Sequence, residues 1–219
     1  MTCWAFRDKE TFKDHAIGVL ECFRRNFSYI IPILSRRTNI DREKVRKAVE
    51  IAVAFHDIGK ASKHYSISAS YYGHEYYSGY IVYKIISRCC DSEVKVLAAL
   101  AAMSHHQAME GRGLDFIQSG NCTKLPHFEL NPECVDDIKE VADAIGVEIP
   151  LDTLDIIKIK NITPCNVKDW FYSLKSRKFY LYPIVLGPLM VCDTYVAYAH
   201  RGDGRKNLLI AEYEKFISI

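Results

Sequence analysis

Ile51-Ala52-Val53-Ala54-Phe55-His56-Asp57-Ile58-Gly59-Lys60 decides the reading of the fold. Its first half closes an apolar stripe that begins upstream at Val45, Ala48 and Val49, the i, i+3, i+4 spacing of a helix buried along one face. Asp41 stands where an N-cap belongs, and Gly59 is a natural stop. A helix of this kind carries His56 and Asp57 to its inner end. A lone His-Asp pair is a weak signal that chance often produces; the other histidines and Asp193 give it weight.

Outward from this segment the helical period continues. Phe12, Ala16, Val19, Leu20, Phe23 and Phe27 mark one face of a first helix that starts at about Glu10, and Pro32 interrupts the stretch after it. Ser62 to Gly73, rich in Ser and Tyr, reads as a loop. A third helix runs from His74 to Ser87, and Asp91 or Ser92 caps a fourth, Ala-rich one that ends at His105-His106. Gly111 to Pro126 reads as loop. Asn131-Pro132 opens a further helix that Gly146 closes. Leu151 to Ile162 fits a short strand or a loop, and Val167 to Leu174 is helical. Tyr180 to His200 is a helix bent at Gly187-Pro188. Gly202-Asp203-Gly204 turns into a last helix, Asn207 to Phe216. The expectation is an all-α protein: one helical bundle with short loops, spanning 1–219 as a single domain.

Composition narrows the class. The chain has 219 residues, 49% hydrophobic and 26% charged, which excludes a disordered or low-complexity protein. A net charge of +2 gives no global basic field. Basic residues are grouped instead, at Arg36-Arg37, at Arg42, Lys44, Arg46 and Lys47, at Lys60 and Lys63, at Lys175, Arg177 and Lys178, and at Arg201, Arg205 and Lys206. Most of these read as solvated helix faces. The eight cysteines form no C-x-x-C pair, so neither a zinc ribbon nor a redox motif is expected. With no signal-like N-terminus and no uninterrupted apolar span, the chain reads as soluble and cytoplasmic, away from membranes, with mostly reduced thiols. Cys192 reads as a packed thiol beside Asp193.

The chemistry is in the eight histidines and one stray carboxylate. His15, His56-Asp57, His74 and His105-His106 fall on or at the ends of separate helices, and Asp193 interrupts an otherwise apolar run. Any one of these histidines alone is most simply a hydrogen-bonded core or surface residue. Asp193 has an ordinary alternative too, as a polar group in a kinked helix. Together they supply imidazole and carboxylate, the ligands of first-row divalent metals. Several histidines with two carboxylates suit a pair of cations about 3.5–4 Å apart, one carboxylate bridging them. Asp57 is placed for that.

His56-Asp57-Ile58-Gly59-Lys60 reads H-D-x-G-K and resembles the signature of the HD phosphohydrolase superfamily. Adding His15, the Gly73-His74-Glu75-x-x-Ser78 segment, the His105-His106 pair and Asp193 makes the chain similar to the CRISPR-associated HD nucleases of type I systems. No P-loop is present in the sequence, so the likeness is to the stand-alone HD subunit. It covers roughly Asp14 to His200. The resemblance implies one metal held by His15, His56, Asp57 and Asp193, and a second held by Asp57, His74, His105 and His106. It implies Asp57 and Lys60 as catalytic residues, with Lys60 on substrate phosphate; Lys63, in the basic group nearest the metals, is placed on phosphate too, and Glu75 and Ser78, which match the motif, are read as support and packing. The cofactors would be two divalent ions: Mn2+, Mg2+, or another first-row ion such as Fe2+, Co2+ or Ni2+. The substrate would be single-stranded DNA, with RNA as a further option. The partners would be a separate helicase subunit and the CRISPR RNA-guided surveillance complex. Gln107 departs from the pattern, since many relatives carry glycine after the His pair. Tyr65, Tyr71, Tyr72, Tyr76 and Tyr77 bracket His74 and offer base stacking, or equally core and rim packing. Two other readings stand beside this one: an HD phosphohydrolase acting on nucleotides or small phosphate esters, and an HD-fold assembly module without activity.

Overall fold

A computed structural model describes residues 2–68, 72–89, 93–106, 127–147, 170, 179–201 and 214–215. Among these are eight α-helices: α1 Phe12–Asn26, α2 Ile30–Thr38, α3 Arg42–Ala54, α4 Lys63–Ile67, α5 His74–Cys89, α6 Val94–Ser104, α7 Val135–Ile145 and α8 Pro183–Arg201. A small antiparallel hairpin, β1 Trp4–Phe6 and β2 Glu10–Thr11, precedes them. The all-α reading holds.

α6 is the axis. Every residue from Val94 to Ser104 except Lys95 is buried, so this helix is apolar all round rather than along one face. α5 lies against it most closely, and Gly79 permits the approach. A Cβ at Gly79 would stand 2.7 Å from Met103 Cβ and 2.8 Å from the Ala99 carbonyl oxygen. α3 and α8 also pack on α6, and α1 lies against α3, α7 and α8. The core is lined by Phe12, Leu20, Phe23, Leu34, Ile51, Phe55, Ile81 and Phe128, among others. Tyr76 and Tyr77 also belong to it, at 1% and 0% exposure, and Tyr65 is buried with its hydroxyl donated to the Tyr72 carbonyl. These three rings are therefore packing residues rather than a stacking platform.

Helix ends follow the expected chemistry where the sequence marked them. Asp41 caps α3, its carboxylate accepting from the amides of Glu43 and Lys44, a contribution of about 1 kcal/mol. Asn131 caps a 3-10 turn over Pro132–Cys134 that leads into α7, and Gly146 ends α7 in the left-handed region at φ 69°. Four expectations need correction. α1 starts at Phe12, because Glu10 and Thr11 are drawn into the hairpin and Thr11 becomes the N-cap. Pro32 does not interrupt the chain: it sits in the first turn of α2, where its missing amide hydrogen has no helical partner to lose. The segment after Ser62 is not all loop, since the Ser62 side chain caps α4. The thiols are not all reduced. Cys3 is joined to Cys134 and Cys22 to Cys192, with Cα–Cα separations of 5.0 and 5.6 Å. Partners 131 and 170 positions apart leave no local spacing to read.

The Asp91/Ser92 cap, the loop Gly111 to Pro126, the segment Leu151 to Ile162, the turn Gly202 to Gly204, Gln107 and Tyr71 lie outside the described residues. So, apart from isolated positions, do the helices Val167 to Leu174 and Asn207 to Phe216. No helix among the described residues is long and apolar enough to cross a membrane.

Candidate metal centre

Five elements deliver the site. α3 ends at Ala54, and Phe55 to Asp57 turn into a 3-10 segment, Ile58–Ala61. This turn is pinned from α5, where the Ser78 hydroxyl accepts the Gly59 amide at 2.9 Å. His74 opens α5, directly after Gly73 in the left-handed region at φ 85°. His105 and His106 follow the last turn of α6. His15 projects from α1 and Asp193 from α8.

The seven polar groups converge. Atoms of Asp57, His74, His105 and His106 lie within 4.8 Å of one another, and so do those of His15, His56 and Asp193. Asp57 stands between the two sets and divides its oxygens between them. Its Oδ1 is 2.8 Å from His74 Nε2 and 3.3 Å from His105 Nε2. Its Oδ2 is 3.5 Å from His15 Nε2 and 3.7 Å from His56 Nε2. Asp193 Oδ1 lies 3.2 Å from His15 Nε2 and 3.7 Å from His56 Nε2.

The outer ring nitrogens explain why Nε2 points inward each time. His56 Nδ1 donates to the Val53 carbonyl and His105 Nδ1 to the Ala102 carbonyl, each three residues back. His15 Nδ1 is 2.8 Å from Glu10 Oε1, and His74 Nδ1 is 3.4 Å from Glu75 Oε2. Carbonyls only accept, so at His56 and His105 Nδ1 holds the proton and Nε2 presents a lone pair. His15 Nε2 and His56 Nε2 are 3.3 Å apart, and both face carboxylate oxygens. His105 Nε2 is buried with no hydrogen-bond partner. The converging donor set of imidazole and carboxylate fits divalent metal.

Charge in the site follows the same logic. Burial works against ionisation of Asp57, yet Lys60, His56, His74 and His105 hold its carboxyl well below the usual range. Asp193 is likewise held well down, against burial, by His15 and His56. Burial lowers His74, and burial with the neighbouring His105 and His74 keeps His106 neutral. His15 is different. Despite burial, Asp193 and Glu10 raise it to about 9. A proton there does part of the work of a cation.

All seven expected ligands are thus brought together. Lys60 reaches the site too, its Nζ 2.6 Å from Asp57 Oδ2 with a side chain only 8% exposed. Lys63 does not: it is ion-paired with Glu129 on the surface. Of the other basic groups, Arg46 is bound to Glu43 and Glu50, and Arg201 to Glu10. Glu75 is fully buried beside His74, and the Ser78 hydroxyl accepts from the Gly59 amide. The sequence reading missed Glu10, and it left His200 without a role. His200 Nδ1 meets the same Glu10 oxygen as His15.

No protein-family model matches the chain. A curated relative, the CRISPR-associated endonuclease Cas3-HD of Methanocaldococcus jannaschii, is 27% identical over 202 residues, covering 81% of this chain and 80% of the relative. The chain is similar to this CRISPR-associated HD-domain protein over most of both lengths. The fold agrees. The solved structure of a CRISPR-associated Cas3 HD domain protein from the same organism superposes with a TM-score of 0.56 at 23% identity, covering 88% of this chain and 99% of that one. In this chain Gly59 has a specific reason to be glycine. A Cβ there would stand 2.1 Å from the His74 carbonyl oxygen, so no other residue lets the His-Asp turn close on α5.

Proposed function

We propose that residues 1–219 form one HD nuclease domain that hydrolyses phosphodiester bonds of single-stranded DNA with two divalent metal ions. It would act in CRISPR interference with a separate helicase subunit and the RNA-guided surveillance complex. The observation that carries the reading is the division of Asp57, one oxygen toward His74 and His105, the other toward His15 and His56. That is what a carboxylate shared by two cations requires. The relative's name as an endonuclease supports the reaction class.

One set would be His15, His56, Asp57 and Asp193, the other Asp57, His74, His105 and His106. Bound divalent cations supply Lewis acidity and make water a competent nucleophile at neutral pH. The protein's part is positional. Nδ1 anchors orient three imidazoles, those of His15, His56 and His105, and the Gly59–Ser78 bond fixes where Asp57 stands. Lys60 exchanges Asp57 for a substrate phosphate oxygen and offsets charge that builds there as the P–O bond breaks. Lys63 would exchange Glu129 for a phosphate further along the strand. The products would carry 5′-phosphate and 3′-hydroxyl ends.

The test uses purified protein, Mn2+ or Mg2+, and single-stranded DNA beside duplex DNA, RNA and dNTPs. Cleavage of the single strand, abolished in a folded Asp57→Ala variant, supports the proposal. Turnover of dNTPs with no cut DNA makes the protein a nucleotide phosphohydrolase instead.

A further inference from the structure

Glu10 belongs to the hairpin rather than to any helix of the site, yet it is only 3% exposed. Its carboxylate takes three donors. Oε1 lies 2.8 Å from both His15 Nδ1 and His200 Nδ1, and Oε2 accepts from Arg201 Nε at 2.8 Å. His200 and Arg201 end α8, the helix that also carries Asp193. One buried side chain therefore touches the imidazole of α1 and the far end of the helix supplying the facing carboxylate. Against burial, His15 and Arg201 keep Glu10 ionised.

We infer that Glu10 is the positioning residue of one half of the metal centre, the His15–His56–Asp193 half, through His15 and through the end of α8. This rests on the two-metal reading above. A carboxylate at Nδ1 does two things to a ligating histidine: it fixes the proton on the outer nitrogen, and it increases the basicity of the inner one. The other half draws on different anchors, the Ala102 carbonyl behind His105 and Glu75 beside His74. Glu10 touches neither. Arg201 is a clamp: it also lies over the Phe6 ring at 4.7 Å, which ties the end of α8 to the hairpin.

The experiment is a Co2+ titration of the full chain, followed by its visible spectrum and by metal content after desalting. Four variants accompany the wild type: Glu10→Ala, Glu10→Gln, Asp193→Ala and His106→Ala. The wild type should bind in two steps. Glu10→Ala should weaken one step about 10–100-fold and leave the other in place. The weakened step should be the one that Asp193→Ala removes and that His106→Ala keeps. Glu10→Gln retains an acceptor for Nδ1 and should recover part of the loss. A drop in both steps together, with a lower melting temperature, means Glu10 serves the fold alone and overturns the inference. Two unchanged steps in Glu10→Ala overturn it as well, while the metal reading stands. A wild-type chain that takes up no Co2+ overturns both.

Discussion

Gly59 and His74 meet with no room between them: a Cβ on Gly59 would stand 2.1 Å from the His74 carbonyl oxygen and 3.0 Å from the Ser78 hydroxyl. Backbone cannot yield as the end of a flexible side chain can. Gly59→Ala should therefore separate the His-Asp turn from α5 and cost about 3 kcal/mol, the upper end for overpacking. Urea unfolding would measure it. Gly146→Ala is the comparison, with open space but φ at 69°, and should cost about 1 kcal/mol. Equal costs at the two positions would show that the turn yields.

His15 sets the response to pH. Its pKa is raised to about 9 when folded, with Asp193 and Glu10 outweighing burial, against about 6.5 unfolded. Its stabilising effect on the metal-free protein is therefore complete below about pH 6.5 and is lost as pH rises toward about 9. Metal binding runs the other way. The cation must displace that proton, so affinity increases over the same interval and levels off above it. Calorimetry at pH 7 in buffers of different ionisation heat should find protons released on Mn2+ binding. An identical heat in every buffer would contradict it.

Lys60 lies against Asp57 Oδ2, yet it is not among the seven candidate ligands. On the proposed two-metal function, Lys60→Ala should keep both metals and still lose about 100-fold in the cleavage rate of single-stranded DNA, the effect of removing one charge placed at developing negative charge. Metal content and single-turnover rates on the same preparation separate the two. If metal is lost along with activity, Lys60 acts in holding Asp57.

The Cys3–Cys134 bond closes most of the chain into a loop, and Cys22–Cys192 joins the helices that carry His15 and Asp193. Reduction should lower unfolding free energy by about 2–4 kcal/mol per bond. Thermal melts with and without a phosphine reductant, together with thiol counts under denaturant, read this directly. A Tm that does not move would place the bonds outside the stability of the fold.

How much was legible depended on whether a residue's partners were near in sequence. The stripe Val45, Ala48, Val49, Ala52 and Val53 showed α3, because a one-sided helix leaves its period in the chain. Asn131-Pro132 and Gly146 marked α7 through local backbone chemistry. All seven converging side chains were readable too, since His and Asp on or at the ends of apolar helices stand out against their neighbours. α4, at five residues, is too short to show a period and is held by one serine cap. Pro32 misled because its position within the first turn of α2 decides its effect, not its presence. Glu10 was invisible for the opposite reason from α4: its donors come from positions 15, 200 and 201. A lone Glu before a helix carries no trace of them. The cysteine pairs failed likewise.

The placement of Asp193 on α8, far along the chain from His56-Asp57, also sets a clock. At about 5–20 residues per second, a ribosome that has finished the His-Asp turn needs on the order of ten seconds more to reach Asp193. Until then His15 and His56 have no second carboxylate facing them. A nascent chain would hold an unarmed half of the candidate metal centre throughout that interval, and gain the whole only when α8 docks.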